Sequence, residues 1–139
     1  MSFTINDLTI GQSASFTKTV SETDVYLFAG ISGDLNPAHV NQVASEQTQF
    51  KGRIAHGILG AAFISTVVGM YLPGPGTIYI GQELRFRRPI HIGDTVTATG
   101  TVTEINVEKN RAKLETTITN QDGVVVTTGV ATVMPPTAE

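Results

Sequence analysis

"IAHGILGAAFISTVVGMYL", residues 54–72, contains no Asp, Glu, Lys or Arg. Its length approaches the roughly 20 residues of a membrane-spanning helix. It also holds His56, Ser65, Thr66 and three glycines, and the chain on either side alternates as a soluble sheet does. The stretch therefore predicts a core helix over about residues 57–71, surrounded by protein on all sides, rather than a membrane span. "PGPG", residues 73–76, ends it. Small residues at Gly60, Ala61, Ala62 and Gly69 let a curved sheet approach its backbone closely.

The neighbouring segments supply that sheet. In "SASFTKTV", residues 13–20, Ala14, Phe16 and Val20 share one face, a strand pattern. "SETDVYLFAGISGD" then reads as a short helix, capped by Ser21 or Thr23 and ended by Gly30 or Gly33. A second short helix begins at "NPAH", with Asn36 as cap, Pro37 in the first turn, and Val40, Val43, Ala44 and Phe50 facing inward. After the long helix come strands at 77–90, 94–108 and from 110, and a last strand after the "QDG" turn at 121–123. The phase slips near Glu104, which predicts a bulge. Strand, helices, then a run of antiparallel strands makes an α+β domain in which a sheet covers one buried helix. Residues 1–139 read as a single domain, since no linker, repeat or low-complexity tract divides them.

Composition narrows the chemistry. With no cysteine, there is no disulfide frame, thiol nucleophile or Cys-based metal site. A net charge of −3 argues against general nucleic-acid binding. The first residues, "MSFTINDLTIGQ", lack a basic stretch followed by an apolar one, so the expected location is cytoplasmic, with no membrane attachment. No G-x-S-x-G, H-E-x-x-H or phosphate-loop pattern is present.

Two stretches stand out as candidate sites. "GDLNPAH", residues 33–39, puts Asp34, Asn36 and His39 within one turn-forming loop. An Asp beside an imidazole fixes its tautomer, and together they can hold one water. The plainer reading has Asp34 bonding only backbone N–H groups and His39 on a helix surface. "RIAHG", residues 53–57, opens the long helix. There the first N–H groups have no internal partner, and Gly57 admits a ligand close to a positive helix end. The plainer reading makes Gly57 a turn residue and His56 a hydrogen-bonded core residue. Ser65 and Thr66 are expected to bond the carbonyl four residues back. Ser65, eight residues after Gly57, also falls on nearly the same helix face and can line a pocket reached from it. Arg85, Arg87 and Arg88 cluster on one strand, and Lys109, Arg111 and Lys113 on the next hairpin. They are solvated surface or a receiver for a small polyanion.

Residues 28–65, with their "GD-x-NP-x-H" loop, the Phe50 stretch and "IAHG" opening a long helix, resemble the MaoC-like hydratases. Within that family they resemble the R-specific enoyl-CoA hydratases. The resemblance implies a hot-dog fold, an antiparallel sheet wrapped around a long central helix, and a homodimer. It implies reversible syn addition of water to a trans-2-enoyl-CoA, giving the (3R)-3-hydroxyacyl-CoA. Asp34 and His39 would be the catalytic pair and Gly57 N–H the holder of the thioester oxygen. Asn36, Ser65 and His56 would line the site, and Arg85, Arg87 or Arg88 would meet the CoA phosphates. No metal or cofactor is implied beyond the CoA of the substrate. Rival expectations are a dehydratase of fatty-acid synthesis acting on carrier-protein thioesters, a hot-dog thioesterase, and a non-catalytic acyl-CoA binder. Acyl-chain length would follow from a tunnel to which Ala61, Ala62, Tyr71 and Leu72 contribute.

Overall fold

Period-two alternation builds five strands: β1 (Ser13–Thr19), β2 (Ile78–Phe86), β3 (Thr95–Asn106), β4 (Arg111–Thr119) and β5 (Val125–Met134). They pair antiparallel in one sheet of order β1-β3-β4-β5-β2. The structure is a computed structural model and describes residues 1–138. Phe16, Val96, Ala98, Val102, Leu114, Ile118 and Val133 line the inner face. On the other face, hydroxyls of β1 and β3 pair across the ladder at Ser15–Thr99, Thr17–Thr97 and Thr19–Thr95, at 2.8, 2.9 and 2.8 Å. The predicted bulge is present, as a register shift between Val102 and Glu104.

The helices are α1 (Glu22–Ser32), α2 (Pro37–Val40), α3 (Gln42–Glu46) and α4 (Gly57–Thr66), the last continuing as a π-helical turn over Val67–Tyr71. The Ser21 side chain accepts the Asp24 N–H, and the Asp24 carboxylate accepts the Ser21 N–H. This reciprocal pair satisfies two otherwise free donors and starts α1. Leu59, Phe63, Ile64 and Val67 of the long helix pack on Val96, Ala98 and Ile118 of the sheet. The approach is close because small residues permit it. A Cβ on Gly60 would lie 3.1 Å from Ile118 Cδ1 of the sheet, and one on Gly100 3.4 Å from Val67 Cγ1 of the helix. Each large side chain buried here contributes about 1.5–3 kcal/mol.

Four expectations are corrected. The long helix is not enclosed on all sides, for Ile58, Met70 and Tyr71 are 55%, 58% and 47% exposed on its outer face. The sheet of a single chain covers only the opposite face. Val43 and Ala44 do not face inward but are exposed, because α2 and α3 are short and separated by a break at Asn41. The strand expected over 77–90 ends at Phe86. Arg87 and Arg88 N–H groups both reach the Val126 carbonyl, and Pro89 has no N–H to continue the ladder. Thr66 does donate to the Ala62 carbonyl, at 3.2 Å, but Ser65 makes no such bond. Among the described residues, no helix is long and apolar enough to cross a membrane.

Gly129 tests the strand packing. A Cβ there would lie 1.9 Å from the Glu83 carbonyl oxygen on the neighbouring strand. Backbone, unlike a side-chain tip, cannot swing aside. Gly129→Ala is expected to destabilise by about 3 kcal/mol, the upper end for overpacking. Urea unfolding measures it, and an unchanged midpoint would contradict the close approach of β2 to β5.

Candidate active site

The loop after α1 is held by its own polar groups. Gly33 takes a left-handed φ of 80° and ends the helix, donating its N–H to the Ala29 carbonyl at 2.9 Å. Asp34 N–H donates to Ser32 Oγ at 3.1 Å, and Asp34 Oδ1 accepts the Asn36 N–H at 3.2 Å. Asn36 Oδ1 accepts the Ala38 N–H at 3.0 Å and so starts α2, with Pro37 in its first position. One helical turn then carries His39.

A second chain segment fixes this turn from the side. Ile54 N–H donates to the Ala38 carbonyl at 3.0 Å, and His39 Nδ1 lies 2.7 Å from the Ile54 carbonyl. Ala55 N–H reaches the Ile90 carbonyl at 2.7 Å, and Ile54 bridges His91. Residues 54–55 are thus gripped on both sides, and α4 starts two residues later. Arg53 anchors the approach. Its guanidinium donates to Glu22 Oε1 at 2.6 Å, to Tyr26 Oη at 2.7 Å and to Gln42 Oε1 at 3.0 Å. The hydrogen bond from Arg53, then that from Tyr26, holds the Glu22 carboxyl below its ordinary range.

These contacts gather a cluster. One carboxylate oxygen of Asp34 and one ring nitrogen each of His39 and His56 lie within 4.8 Å of one another. Asp34 is exposed, while His39 is 9% and His56 2% exposed. A carbonyl only accepts, so His39 carries a proton on Nδ1, and its Nε2 has no hydrogen-bond partner among the described residues. The same reasoning puts the His56 proton on Nε2, which donates to the Asp34 carbonyl oxygen at 2.9 Å. The two imidazoles stack, with centroids 3.8 Å apart and planes 27° from parallel. Phe28 packs on His56 with its centroid 4.8 Å away. Stacked rings direct their in-plane lone pairs side by side. A metal needs donors that converge at about 2.0–2.1 Å, so this arrangement suits shared protons better than coordination.

Gly57 opens α4, and the His56 side chain makes no capping bond there. Beside it lies a cavity of about 360 Å³ lined by Phe50, Ile54, Gly57, Phe86, Arg87 and Arg88 among others. A Cβ on Gly57 would meet the Phe86 ring at 2.8 Å, so glycine keeps this end of the helix accessible. Farther along the helix a space of about 280 Å³ lies between Ala61 and Tyr79, Gln82 and Leu84 of β2. Burial pushes the Tyr79 hydroxyl up to about 12, so it stays a neutral donor to Gln82. A wider concavity of about 840 Å³, with Glu83, Arg85 and Glu115, lies away from the Asp34 cluster.

The structure therefore brings together Asp34, Asn36, His39 and His56, with Gly57 following His56 in the chain; the cavity beside Gly57 is lined by none of those four side chains. It leaves Ser65 exposed and outside the cavity lining at Gly57, despite the shared helix face. Arg87 and Arg88 border that cavity, whereas Arg85 does not. Arg111 donates to the Lys109 and Asn110 carbonyls in the β3–β4 turn, and Lys113 sits 3.6 Å from Glu104. Of the tunnel candidates, Ala61 borders the second space, Leu72 is buried, and Ala62 and Tyr71 are exposed. Sequence reasoning missed Phe28, Phe86 and the Arg53 anchor, whose partners lie tens of positions away and leave no local spacing signal.

A five-stranded antiparallel sheet packed over one long helix, with an Asp–His cluster near the helix start, defines a hot-dog domain. The MaoC like domain matches residues 6–124, and the chain belongs to that family. An (R)-specific enoyl-CoA hydratase of Rhodospirillum rubrum is 58% identical over 130 residues, covering 94% of this chain and 90% of the relative. A 3-hydroxybutyryl-CoA dehydratase of Methylorubrum extorquens is 44% identical over 133 residues, covering 96% of this chain and 84% of the relative. The solved structure of an R-hydratase from Pseudomonas aeruginosa in unliganded form superposes with a TM-score of 0.92 at 44% identity. It covers 97% of this chain and 86% of that one.

The Glu22–Arg53 anchor sets a pH dependence. Because the folded Glu22 carboxyl titrates below its ordinary 4.5, its contribution is complete above that value and lost as pH falls through the lowered one. Glu22→Gln is expected to melt below wild type at neutral pH, with the gap closing in acid. A gap that persists unchanged under acid conditions would show that the carboxylate charge is not what matters.

Proposed function

We propose that the chain, working as one domain, catalyses the reversible hydration of a trans-2-enoyl-CoA to the (3R)-3-hydroxyacyl-CoA. The observation that carries this reading is the Asp34 carboxylate beside His39, whose Nδ1 is tied to Ile54 and whose Nε2 is bare. The two groups hold one water. As its oxygen attacks C3, the water gives a proton to the pair, and electron density moves through C2 to the thioester oxygen. Gly57 N–H, in the uncapped first turn of α4, supports that oxygen. The proton then passes from the pair to C2 on the same face, completing a syn addition. Both groups reach the one water, so the pair rather than one member is the acid–base unit. Such groups supply about 10²–10⁴-fold in rate; orientation and the oxyanion site contribute the remainder. The chemistry is closed without metal or redox steps, and CoA enters as part of the substrate.

The cavity beside Gly57 is apolar along Phe50, Ile54 and Phe86, which suits an acyl thioester. Arg87 and Arg88 on its border suit the CoA phosphates. Dehydration of a 3-hydroxyacyl thioester is the same reaction reversed. The homodimer is supported by two features of one chain: the exposed outer face of α4, with Ile58, Met70 and Tyr71, and the edge strand β2 with exposed Ile78, Ile80 and Phe86.

With crotonyl-CoA, wild type is expected to bleach the enoyl-thioester absorbance without releasing free thiol; thiol release would favour a thioesterase. Asp34→Asn is expected to keep its melting point and lose roughly 10²–10⁴-fold in kcat. Wild-type turnover in that variant would remove Asp34 from the mechanism. For the dimer, Met70→Asp is expected to shift sedimentation from dimer towards monomer. An unshifted dimer would place the interface elsewhere.

A further inference from the structure

His56 is the one member of the cluster to which the proposed chemistry gives no task. We infer that His56 is a positioning residue that sets both catalytic groups at once, an inference that rests on the hydratase reading. Its Nε2–H donates to the main-chain carbonyl of Asp34 across 22 positions of sequence, at 2.9 Å. Its ring stacks on His39 at 3.8 Å. One side chain therefore fixes the peptide that carries the carboxylate and backs the imidazole that shares its proton.

Three observations separate this role from plain core filling. His56 is 2% exposed, and its Nδ1 has no hydrogen-bond partner. A buried polar atom without a partner is a penalty that an apolar residue between Phe28 and His39 would avoid. The imidazole is thus kept for what its other nitrogen does. Second, the other hydrogen bonds of residue 34 are local: the N–H is held by Ser32 Oγ, and Oδ1 holds the Asn36 N–H. The carbonyl is the handle gripped from another element, so His56 ties the loop to the start of α4. Third, His56 immediately precedes Gly57, the first residue of α4, whose N–H the proposed reaction assigns to the thioester oxygen. The same residue joins the acid–base loop to the oxyanion donor, and a shift in one moves the other.

Three substitutions isolate the parts. His56→Phe keeps a stacking ring and removes the donor. His56→Gln returns an amide N–H near the Nε2 position, whereas His56→Asn places it near Nδ1, short of the Asp34 carbonyl. With crotonyl-CoA, the Phe variant is expected to lose on the order of 10²-fold in kcat, the cost of a misplacement of about 1 Å. KM is expected to stay within about threefold, because the groups displaced act on the transition state rather than on binding. The Gln variant is expected to recover about tenfold of the loss, and Asn none. A folded Phe variant with wild-type kcat overturns the inference, as does Gln no better than Asn. Should the Phe variant fail to fold, the Gln–Asn pair decides. Independently, nitrogen-15 NMR of the wild-type imidazoles is expected to show His56 protonated at Nε2 and bare at Nδ1; the opposite tautomer overturns the inference even if no variant folds. An inactive wild type would instead remove the hydratase reading, and the tautomer measurement would still decide whether His56 holds Asp34.

Discussion

A helix without a single charged side chain stays in water only if a sheet covers it, and that demand organises this protein. Residues 57–71 present Leu59, Phe63, Ile64 and Val67 to the concave face of five strands. Glycine at 60 and 100 brings helix and sheet close, Gly60 against Ile118 of the sheet and Gly100 against Val67 of the helix. Without that closeness the interior would hold voids, whose lining atoms lose dispersion contacts outright. The helix start, and with it Gly57, is placed by the same packing.

The site uses main-chain carbonyls as its framework. Ile54 oxygen sets the tautomer of His39, and Asp34 oxygen sets that of His56. Carbonyls accept and never donate, so they define proton positions without competing for the proton themselves. The Asp34 carboxylate stays exposed while the two imidazoles are buried, so the carboxylate stands on the solvent side of the fixed rings. The Arg53 bonds to Glu22, Tyr26 and Gln42 hold the segment that supplies the Ile54 carbonyl. Stability of the outer loops and geometry of the site are therefore one network.

The sheet of one chain covers one face of the central helix. Ile58, Met70 and Tyr71 remain open on the far side, and β2 leaves an unpaired edge. Apolar surface beside an unpaired edge strand is what a soluble domain ordinarily covers. The cavity at Gly57 borders this open side through Ile58 and Phe86.

Much of the architecture was written locally. Alternation at Ala112, Leu114, Thr116 and Ile118 gave a strand with its buried face. Ser21, Gly33, Asn36 and Pro37 marked the helix ends at which they act. The slip near Glu104 announced the bulge. Such features depend on residues a few positions apart, whose periodicity and caps act before any tertiary contact forms. The motif around residues 33–57 made Asp34, His39 and Gly57 candidates, and the structure sets Asp34 and His39 in one cluster. Tertiary structure decided what spacing cannot. It turned Ser65 outward although its helical phase matched Gly57, and it separated Arg87 and Arg88 from Arg85 at the cavity. It joined His56 to Asp34 across a gap in sequence. Which way a helix face points, and which distant carbonyl a ring nitrogen finds, depend on where the sheet lies. That placement is a property of the whole packed chain, not of any one stretch of it.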